Sequence, residues 1–287
     1  MSSNAKPTDG FKTRLKAAVR AAGTGLCVGI DPHADQLPPF FARELETKGP
    51  AAFLTAYSTT LVDAAVGVAP AVKFQSAFYE AFGAEGFQVL ARMLARAKAK
   101  GLVTILDAKR GDIASTMAAY GQMAFGHMDA DSLTVTPYMG LDVLAPLAPW
   151  LRQGRGAYVV WWSSNPAGAL VQDAVAAPLF EALVAACREG GFSEALGLVV
   201  GATRIGSLPP RLKARLGEAA LLMPGVGAQG GVVTPQIEAL VRETGTVLVP
   251  QSRSVGGYDP QAKSWDDFGA TVAERARAEA VALAIKS

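Results

Sequence analysis

Four charged side chains are concentrated in the stretch DAKRGD, residues 107–112, directly after an apolar run that has the composition of a buried strand. Unpaired buried charges each cost several kcal/mol, so charges at such a position either pair with one another or serve a ligand. Asp107 and Lys109 are two residues apart, which places their side chains on one face of the strand. Taken alone, D-x-K-x-x-D fits a structural ion pair or an active site, and Asp112 fits a helix N-cap or a functional acid.

Two further charged residues stand at the ends of other apolar runs: Lys73 in AVKFQ and Asp31 directly after LCVGI. Lysines interleaved with carboxylates stay protonated while the acids stay ionised, because each charge stabilises its opposite neighbour. A lysine that remains charged is better suited to protonating a developing carbanion than to nucleophilic attack. The pattern therefore predicts a positioned ammonium group beside a fixed negative charge.

Eight short apolar runs, each followed by a segment of helical length, must position these residues. Their nearly continuous apolar character is typical of parallel strands that are covered on both faces. The runs span residues 26–30, 71–75, 102–107, 133–137, 157–162, 196–202, 220–225 and 246–252. Eight such units favour a (β/α)8 TIM barrel, with a doubly wound open sheet as the alternative. We expect one domain over residues 1–287, with residues 1–25 as an N-terminal helical extension.

Barrels of this kind carry their active sites at the carboxyl ends of the strands. Polar and glycine-rich residues stand at those ends throughout the chain. They are Asp31, Lys73, Asp107, Lys109, Ser163, Ser164 and the stretches PGVGAQGG (224–231) and QSRS (251–254). Their accumulation at one rim predicts a single site for a phosphorylated small molecule.

The composition excludes several classes of protein. Among 287 residues, 50% are hydrophobic and the net charge is +2, which favours a globular protein and argues against general nucleic-acid binding. We find no secretory signal and no apolar run long enough to span a bilayer, so a cytoplasmic location without membrane attachment is expected. Cys27 and Cys187 are expected to be core residues, and His33 and His127 share no metal-ligand spacing.

The chain resembles the orotidine 5′-monophosphate (OMP) decarboxylase family, in particular its longer bacterial branch. The motifs that carry the resemblance are GIDP (29–32), VKF (72–74), DAKRGDI (107–113), SSNP (163–166), PGVGAQGG (224–231) and Arg253 in QSRS. They occur in the order found in the family and span most of the chain. The resemblance implies decarboxylation of OMP to uridine 5′-monophosphate (UMP) in pyrimidine biosynthesis, without a metal or an organic cofactor.

The resemblance also implies roles for individual residues. Lys73, Asp107, Lys109 and Asp112 are expected to form the catalytic charge network, with Lys109 as the proton donor to C6 of the pyrimidine. Asp112, Ile113 and Thr116 are expected to reach the site of the partner subunit in a homodimer. The remaining expected substrate contacts are Asp31, Ser164, Pro224, Gln229, Ser252 and Arg253. Arg253 suits phosphate, because its guanidinium offers a fixed fork of donors.

Two other functions are compatible with parts of this pattern. A Mg²⁺-dependent sugar-phosphate decarboxylase or epimerase of the same superfamily shares the D-x-K-x-x-D pattern, but SSNP and the pairing of PGVGAQGG with Arg253 favour the nucleotide. A non-catalytic nucleotide-binding protein on the same scaffold would be expected to have lost Lys109 or one of its paired acids, and all four charges are present.

Overall fold

The computed structural model describes residues 9–35, 37–226 and 233–285. Within these residues eight parallel strands close into a barrel in sequential order, which confirms the TIM barrel and excludes the open sheet. The strands are β1 (Leu26–Ile30), β2 (Ala71–Gln75), β3 (Val103–Arg110), β4 (Ser132–Val135), β5 (Gly156–Trp162), β6 (Leu196–Val200), β7 (Ala220–Leu222) and β8 (Val247–Gln251). Closure of the barrel is completed by parallel pairing of β8 with β1.

Helices connect the strands and cover the outside of the barrel. They are α1 (Phe11–Ala22), α2 (Pro39–Lys48), α3 (Pro50–Ala65), α4 (Ala77–Glu80), α5 (Gly83–Ala99), α6 (Ala114–Gly121), α7 (Ala148–Leu151), α8 (Ala169–Gln172), α9 (Ala176–Glu189), α10 (Pro210–Lys213), α11 (Pro235–Thr244), α12 (Arg253–Gly256) and α13 (Trp265–Ala282). Helix α11 shows how local sequence sets these bounds. Thr234 caps its N-terminus by accepting a hydrogen bond from the Ile237 N–H, and Gly245 ends it in the left-handed conformation.

The hydrophobic core has two layers. The larger layer lies between the outer face of the barrel and the surrounding helices. The smaller layer fills the barrel interior, where Phe11, Leu15 and Val19 of α1 pack against side chains from the amino ends of the strands. The Phe11 ring meets the Tyr158 ring edge-on, with 5.7 Å between ring centroids. Helix α1 thus closes the amino end of the barrel, and the carboxyl ends of the strands are left to form a site.

An ion pair fixes helix α1 in this position. Arg14 donates from one guanidinium nitrogen to the buried carboxylate of Asp131 at 3.1 Å and from the other to the Gly154 carbonyl at 2.8 Å. The second oxygen of Asp131 accepts hydrogen bonds from both the backbone N–H and the hydroxyl of Thr104. A buried carboxylate with this many donors is fully compensated, so it ties α1 to β3 and β4.

The predicted strand positions agree with the structure, although the strand bounds differ at some ends. The largest differences are at β3, which was predicted to end at Asp107 and continues to Arg110, and at β7, which was predicted to end at residue 225 and ends at Leu222. The additional residues of β3 include Lys109, so the predicted catalytic lysine lies within a strand.

Within the described residues no single helix has both the length and the apolar character needed to cross a membrane. One bent pair, Pro166–Gln172 with Ala176–Glu189, meets those criteria by length and composition only.

Candidate active site

A row of alternating charges crosses the carboxyl ends of the first three strands. Strand register places Lys73 of β2 next to Gly29 of β1, and Asp107 of β3 next to Gln75 of β2. The Lys73 ammonium lies 3.4 Å from an oxygen of Asp31 and 3.1 Å from Oδ2 of Asp107. The Lys109 ammonium lies 2.6 Å from Oδ1 of Asp107. The predicted acids and lysines of β1, β2 and β3 are therefore brought together, in the order Asp31, Lys73, Asp107, Lys109.

Lys73 and Asp107, at the centre of this row, are both buried. Burial alone would raise the pKa of Asp107, but the ammonium groups of Lys73 and Lys109 outweigh burial and hold that pKa well below its usual range. Burial alone would lower the pKa of Lys73, but the carboxylates of Asp31 and Asp107 outweigh burial and raise it above its usual value. Asp107 thus remains an anion and Lys73 a cation across the physiological pH range.

Lys109 adopts an unusual backbone conformation. Its φ angle is +45°, in the left-handed region that costs a residue with a side chain about 1–2 kcal/mol. The conformation coincides with a register shift between β3 and β4, after Leu106 and before Arg110. It directs the ammonium group onto Asp107 while the side chain stays 49% exposed toward the open end of the barrel. Strain of this kind is concentrated at functional sites, where the surrounding structure holds it in place.

A cavity of about 530 Å³ opens above this row at the carboxyl end of the barrel. A volume of this size is sufficient for a small-molecule ligand. It is lined by eight of the predicted site residues: Asp31, Lys73, Asp107, Lys109, Ser164, Pro224, Ser252 and Arg253. The predicted phosphate contact Gln229 lies outside the described residues. The charged row forms one wall of the cavity, and the ends of β7 and β8 form another.

The other three predicted site residues lie away from this cavity. Asp112, Ile113 and Thr116 do not line it, and Ile113 and Thr116 are exposed at the surface. The interpretation of Asp112 as a helix N-cap is wrong. Helix α6 begins at Ala114, Ile113 occupies the N-cap position, and the Asp112 carboxylate accepts a hydrogen bond from the Ile113 N–H at 2.7 Å. Within the described residues Asp112 forms no ion pair with Lys109.

Two adjacent tryptophans support the segment that follows β5. Both are buried. The Trp161 indole N–H donates to the Ala176 carbonyl at 2.7 Å, and the Trp162 indole N–H donates to the Asp173 carboxylate at 2.8 Å. The Arg204 guanidinium lies over the Trp162 ring, 4.7 Å from its centroid, and pairs with Asp173. Strand β5, the segment after it and the segment after β6 are thereby held together.

The same segment positions the serines at the end of β5. The Gln172 side-chain oxygen accepts hydrogen bonds from the Ser163 backbone N–H at 2.9 Å and from the Ser163 hydroxyl at 3.2 Å. Gly201, directly after β6, packs so closely that a Cβ atom there would lie 2.6 Å from the Ser164 nitrogen. Gln172 and Gly201 together fix the backbone from which Ser164 faces the cavity.

Sequence reasoning missed three residues at or beneath the site. Gln75 lies two residues after Lys73 on the same face of β2, with its amide nitrogen 3.5 Å from Asp107 Oδ2. The alternation of a strand could have identified it. His33, in the loop after β1, also lines the cavity, with its ring against Phe78 at 4.1 Å between ring centroids. Thr134 of β4 contacts Asp107 and Lys109 from below the cavity, and its sequence context carries no signal of this role.

Comparisons with known proteins cover almost the whole described barrel. The model of a family described as "Orotidine 5′-phosphate decarboxylase / HUMPS family" matches residues 24–280. The orotidine 5′-phosphate decarboxylase of Variovorax paradoxus is 36% identical over 288 residues, which cover 95% of this chain and 97% of that protein. The protein of the same name from Streptomyces coelicolor is 42% identical over 235 residues, 77% of this chain and 80% of that protein. The solved structure of Leishmania donovani OMP decarboxylase superposes with a TM-score of 0.67 at 28% identity, covering 96% of this chain and 100% of that one.

Proposed function

This chain belongs to the orotidine 5′-phosphate decarboxylase / HUMPS family, and from that premise we propose that it converts OMP into UMP and carbon dioxide. The observation that carries the proposal is the row formed by Lys73, Asp107 and Lys109 in the wall of a cavity of about 530 Å³. A fixed anion with an ammonium group on either side suits a reaction in which a carboxylate leaves and a carbanion is protonated. The relatives named as decarboxylases support the same substrate.

The proposed mechanism uses the charge row in two steps. The bond between C6 of the pyrimidine and the carboxylate breaks, and its electron pair remains on C6 as carbon dioxide leaves. The Lys109 ammonium stabilises that charge and then transfers a proton to C6, which yields UMP. Asp107 stands beside the departing carboxylate and holds Lys109 in place through the 2.6 Å contact. Because Lys73 neutralises Asp107 from the other side, Asp107 keeps its charge although it is buried.

We propose that the remaining cavity residues bind the rest of the nucleotide. Asp31 and Lys73 contact the ribose, and Ser164 contacts the amide edge of the pyrimidine. Arg253 binds the phosphate at the ends of β7 and β8, with Pro224 and Ser252 beside it. Gln229, which lies outside the described residues, is proposed as a second phosphate contact. Binding energy from the phosphate then contributes to holding the ring against the charge row, far from the phosphate itself.

We further propose a homodimer in which Asp112, Ile113 and Thr116 complete the site of the partner subunit. Ile113 is 49% exposed although it is apolar, and Tyr138 and Met139 at the adjacent end of β4 are 83% and 55% exposed. These exposed side chains follow two paired strands, β3 and β4, which is compatible with an interface on this side of the barrel. A cytoplasmic location is also proposed, and the free, buried thiols of Cys27 and Cys187 are compatible with a reducing compartment.

A spectrophotometric assay tests the proposed reaction. Purified protein is expected to consume OMP and produce UMP, with the same rate before and after treatment with EDTA, because no step requires a metal ion. The product is identified by chromatography, and a Mg²⁺-dependent enzyme serves as the positive control for chelation. Loss of activity on chelation would favour the Mg²⁺-dependent sugar-phosphate enzyme. Tight binding of UMP without turnover of OMP would favour the non-catalytic nucleotide-binding protein.

Replacing Gly29 by alanine is expected to weaken nucleotide binding. A Cβ atom at Gly29 would lie 2.0 Å from the Ser252 hydroxyl and 3.1 Å from the Ser252 Cα, so the backbone that carries Arg253 has to move. Such overpacking costs about 1–3 kcal/mol, and a loss of that size in binding free energy raises the Kd of UMP about 5- to 150-fold. Isothermal titration with UMP measures the effect.

The matched control for this substitution is Gly206→Ala. A Cβ atom at Gly206 meets no heavy atom of the described residues within 4 Å. The Kd of this variant for UMP is expected to equal that of the unmodified protein. An unchanged Kd in Gly29→Ala as well would show that Ser252 and Arg253 do not depend on the close approach of β1.

A further inference from the structure

The hydroxyl of Thr134 connects both ends of the Lys109–Asp107 pair. Its oxygen accepts a hydrogen bond from the Lys109 backbone N–H at 2.9 Å and donates its proton to Asp107 Oδ1 at 2.9 Å. The same Oδ1 atom accepts the hydrogen bond from the Lys109 ammonium at 2.6 Å. A single threonine hydroxyl has one donor and free acceptor capacity, so it satisfies both contacts at once. The three groups form a closed hydrogen-bonded ring.

Strand register explains why a side chain is needed at this point. Leu106 pairs with Leu133 and Arg110 pairs with Val135, so residues 107–109 of β3 lie opposite the single residue Thr134 of β4. Three residues facing one form a bulge, in which the regular ladder of backbone hydrogen bonds is interrupted. The Lys109 N–H would lack a ladder partner there, and the Thr134 hydroxyl supplies one. The left-handed φ of Lys109 is thus fixed by a side chain of the neighbouring strand.

Thr134 is fully buried and does not line the cavity. It can therefore affect a ligand only through the two residues that it contacts. We propose that Thr134 is a positioning residue. It holds the Lys109 ammonium against Asp107 in the position from which a proton is transferred to C6 of the pyrimidine. This inference rests on the proposed function, because it assigns Thr134 to the same reaction.

The alternative is that Thr134 only fills space between β3 and β4. The two interpretations differ in what they require of the side chain. Packing requires the volume and shape of threonine, which valine reproduces, whereas positioning requires the hydroxyl, which serine retains. Thr134→Val and Thr134→Ser therefore separate the two roles.

We expect Thr134→Val to lower kcat for OMP by about 10- to 100-fold, the range associated with loss of a hydrogen bond to a charged group. KM and the Kd for UMP should change less than about threefold, because the residues that bind the ribose and phosphate are unaffected. Thr134→Ser should retain kcat within about threefold of the unmodified protein. Thr246→Val is the matched control, since the Thr246 hydroxyl is also buried and has no hydrogen-bond partner among the described residues.

Amide hydrogen exchange gives a second readout that does not depend on activity. The Lys109 amide should exchange about tenfold faster or more in Thr134→Val, because its acceptor is removed, while the Ile105 amide earlier in β3 keeps its rate. The inference is overturned if Thr134→Val retains the original kcat, if Thr134→Ser loses as much kcat as Thr134→Val, or if the Lys109 amide exchanges at the original rate. Failure of the unmodified protein to consume OMP would instead overturn the proposed function, and the exchange rates would still show whether Thr134 holds Lys109.

Discussion

Replacing Lys109 by alanine is expected to lower kcat for OMP by about 10³-fold or more while the barrel stays folded. General acid catalysis alone contributes about 10²–10⁴-fold, and removing the ammonium also removes a cation next to the developing carbanion. The side chain is 49% exposed, so its loss leaves no buried cavity in the hydrophobic core. The measurements are steady-state kinetics, UMP binding and thermal unfolding of the same preparation.

Two further substitutions make this expectation specific. Lys109→Arg preserves a positive charge but should remain nearly inactive, because a guanidinium does not release its proton at neutral pH and differs in shape from an ammonium. Lys100→Ala removes a lysine that pairs with Asp63 at the surface and should keep full activity. Substantial turnover by Lys109→Arg would mean that Lys109 acts through its charge, and the proton would have to come from another donor.

A mixture of two inactive variants is expected to recover activity if the sites are shared between subunits. Lys109→Ala and Asp112→Ala homodimers should each be nearly inactive. In a mixed dimer, one site combines the intact Lys109 of one chain with the intact Asp112 of the other, so purified mixed dimers should have about half the activity of the unmodified dimer. Differently tagged subunits allow the mixed species to be isolated before the assay.

The control pairs Lys109→Ala with Asp107→Ala. Lys109 and Asp107 contact each other within one chain at 2.6 Å, so mixing these variants leaves both sites defective and should restore nothing. Recovery in the first mixture and none in the second would locate Asp112 at the partner's site. The absence of recovery in both, with mixed dimers verified, would contradict that placement of Asp112.

Much of the barrel could be predicted because its physical signal is local. A parallel strand buried on both faces is apolar along most of its length, so runs such as 157–162 and 196–202 are visible without any knowledge of the fold. Charged residues at the ends of such runs, including Lys73 and Asp107, then stand out against that background. The carboxyl ends of barrel strands meet at one rim, which predicts that these charges converge.

The details of the site depend on register, which the sequence does not display. The bulge opposite Thr134 arises from how β3 is aligned with β4. The amino-acid sequence of neither strand indicates that three residues of β3 face one residue of β4. The contact between His33 and Phe78 depends in the same way on how two segments fold over the rim. Sequence patterns could therefore identify the reacting groups, whereas the residues that orient them became visible only with the fold.

Within the described residues, helix α1 closes the amino end of the barrel and the cavity opens at the carboxyl end. Phe11, Leu15 and Val19 fill the amino end. The substrate, the nucleotide product and carbon dioxide therefore all pass through the opening at the carboxyl end. A new substrate molecule is thus admitted only after the previous nucleotide has departed. Under the proposed function, UMP that accumulates therefore occupies the site and slows the conversion of OMP.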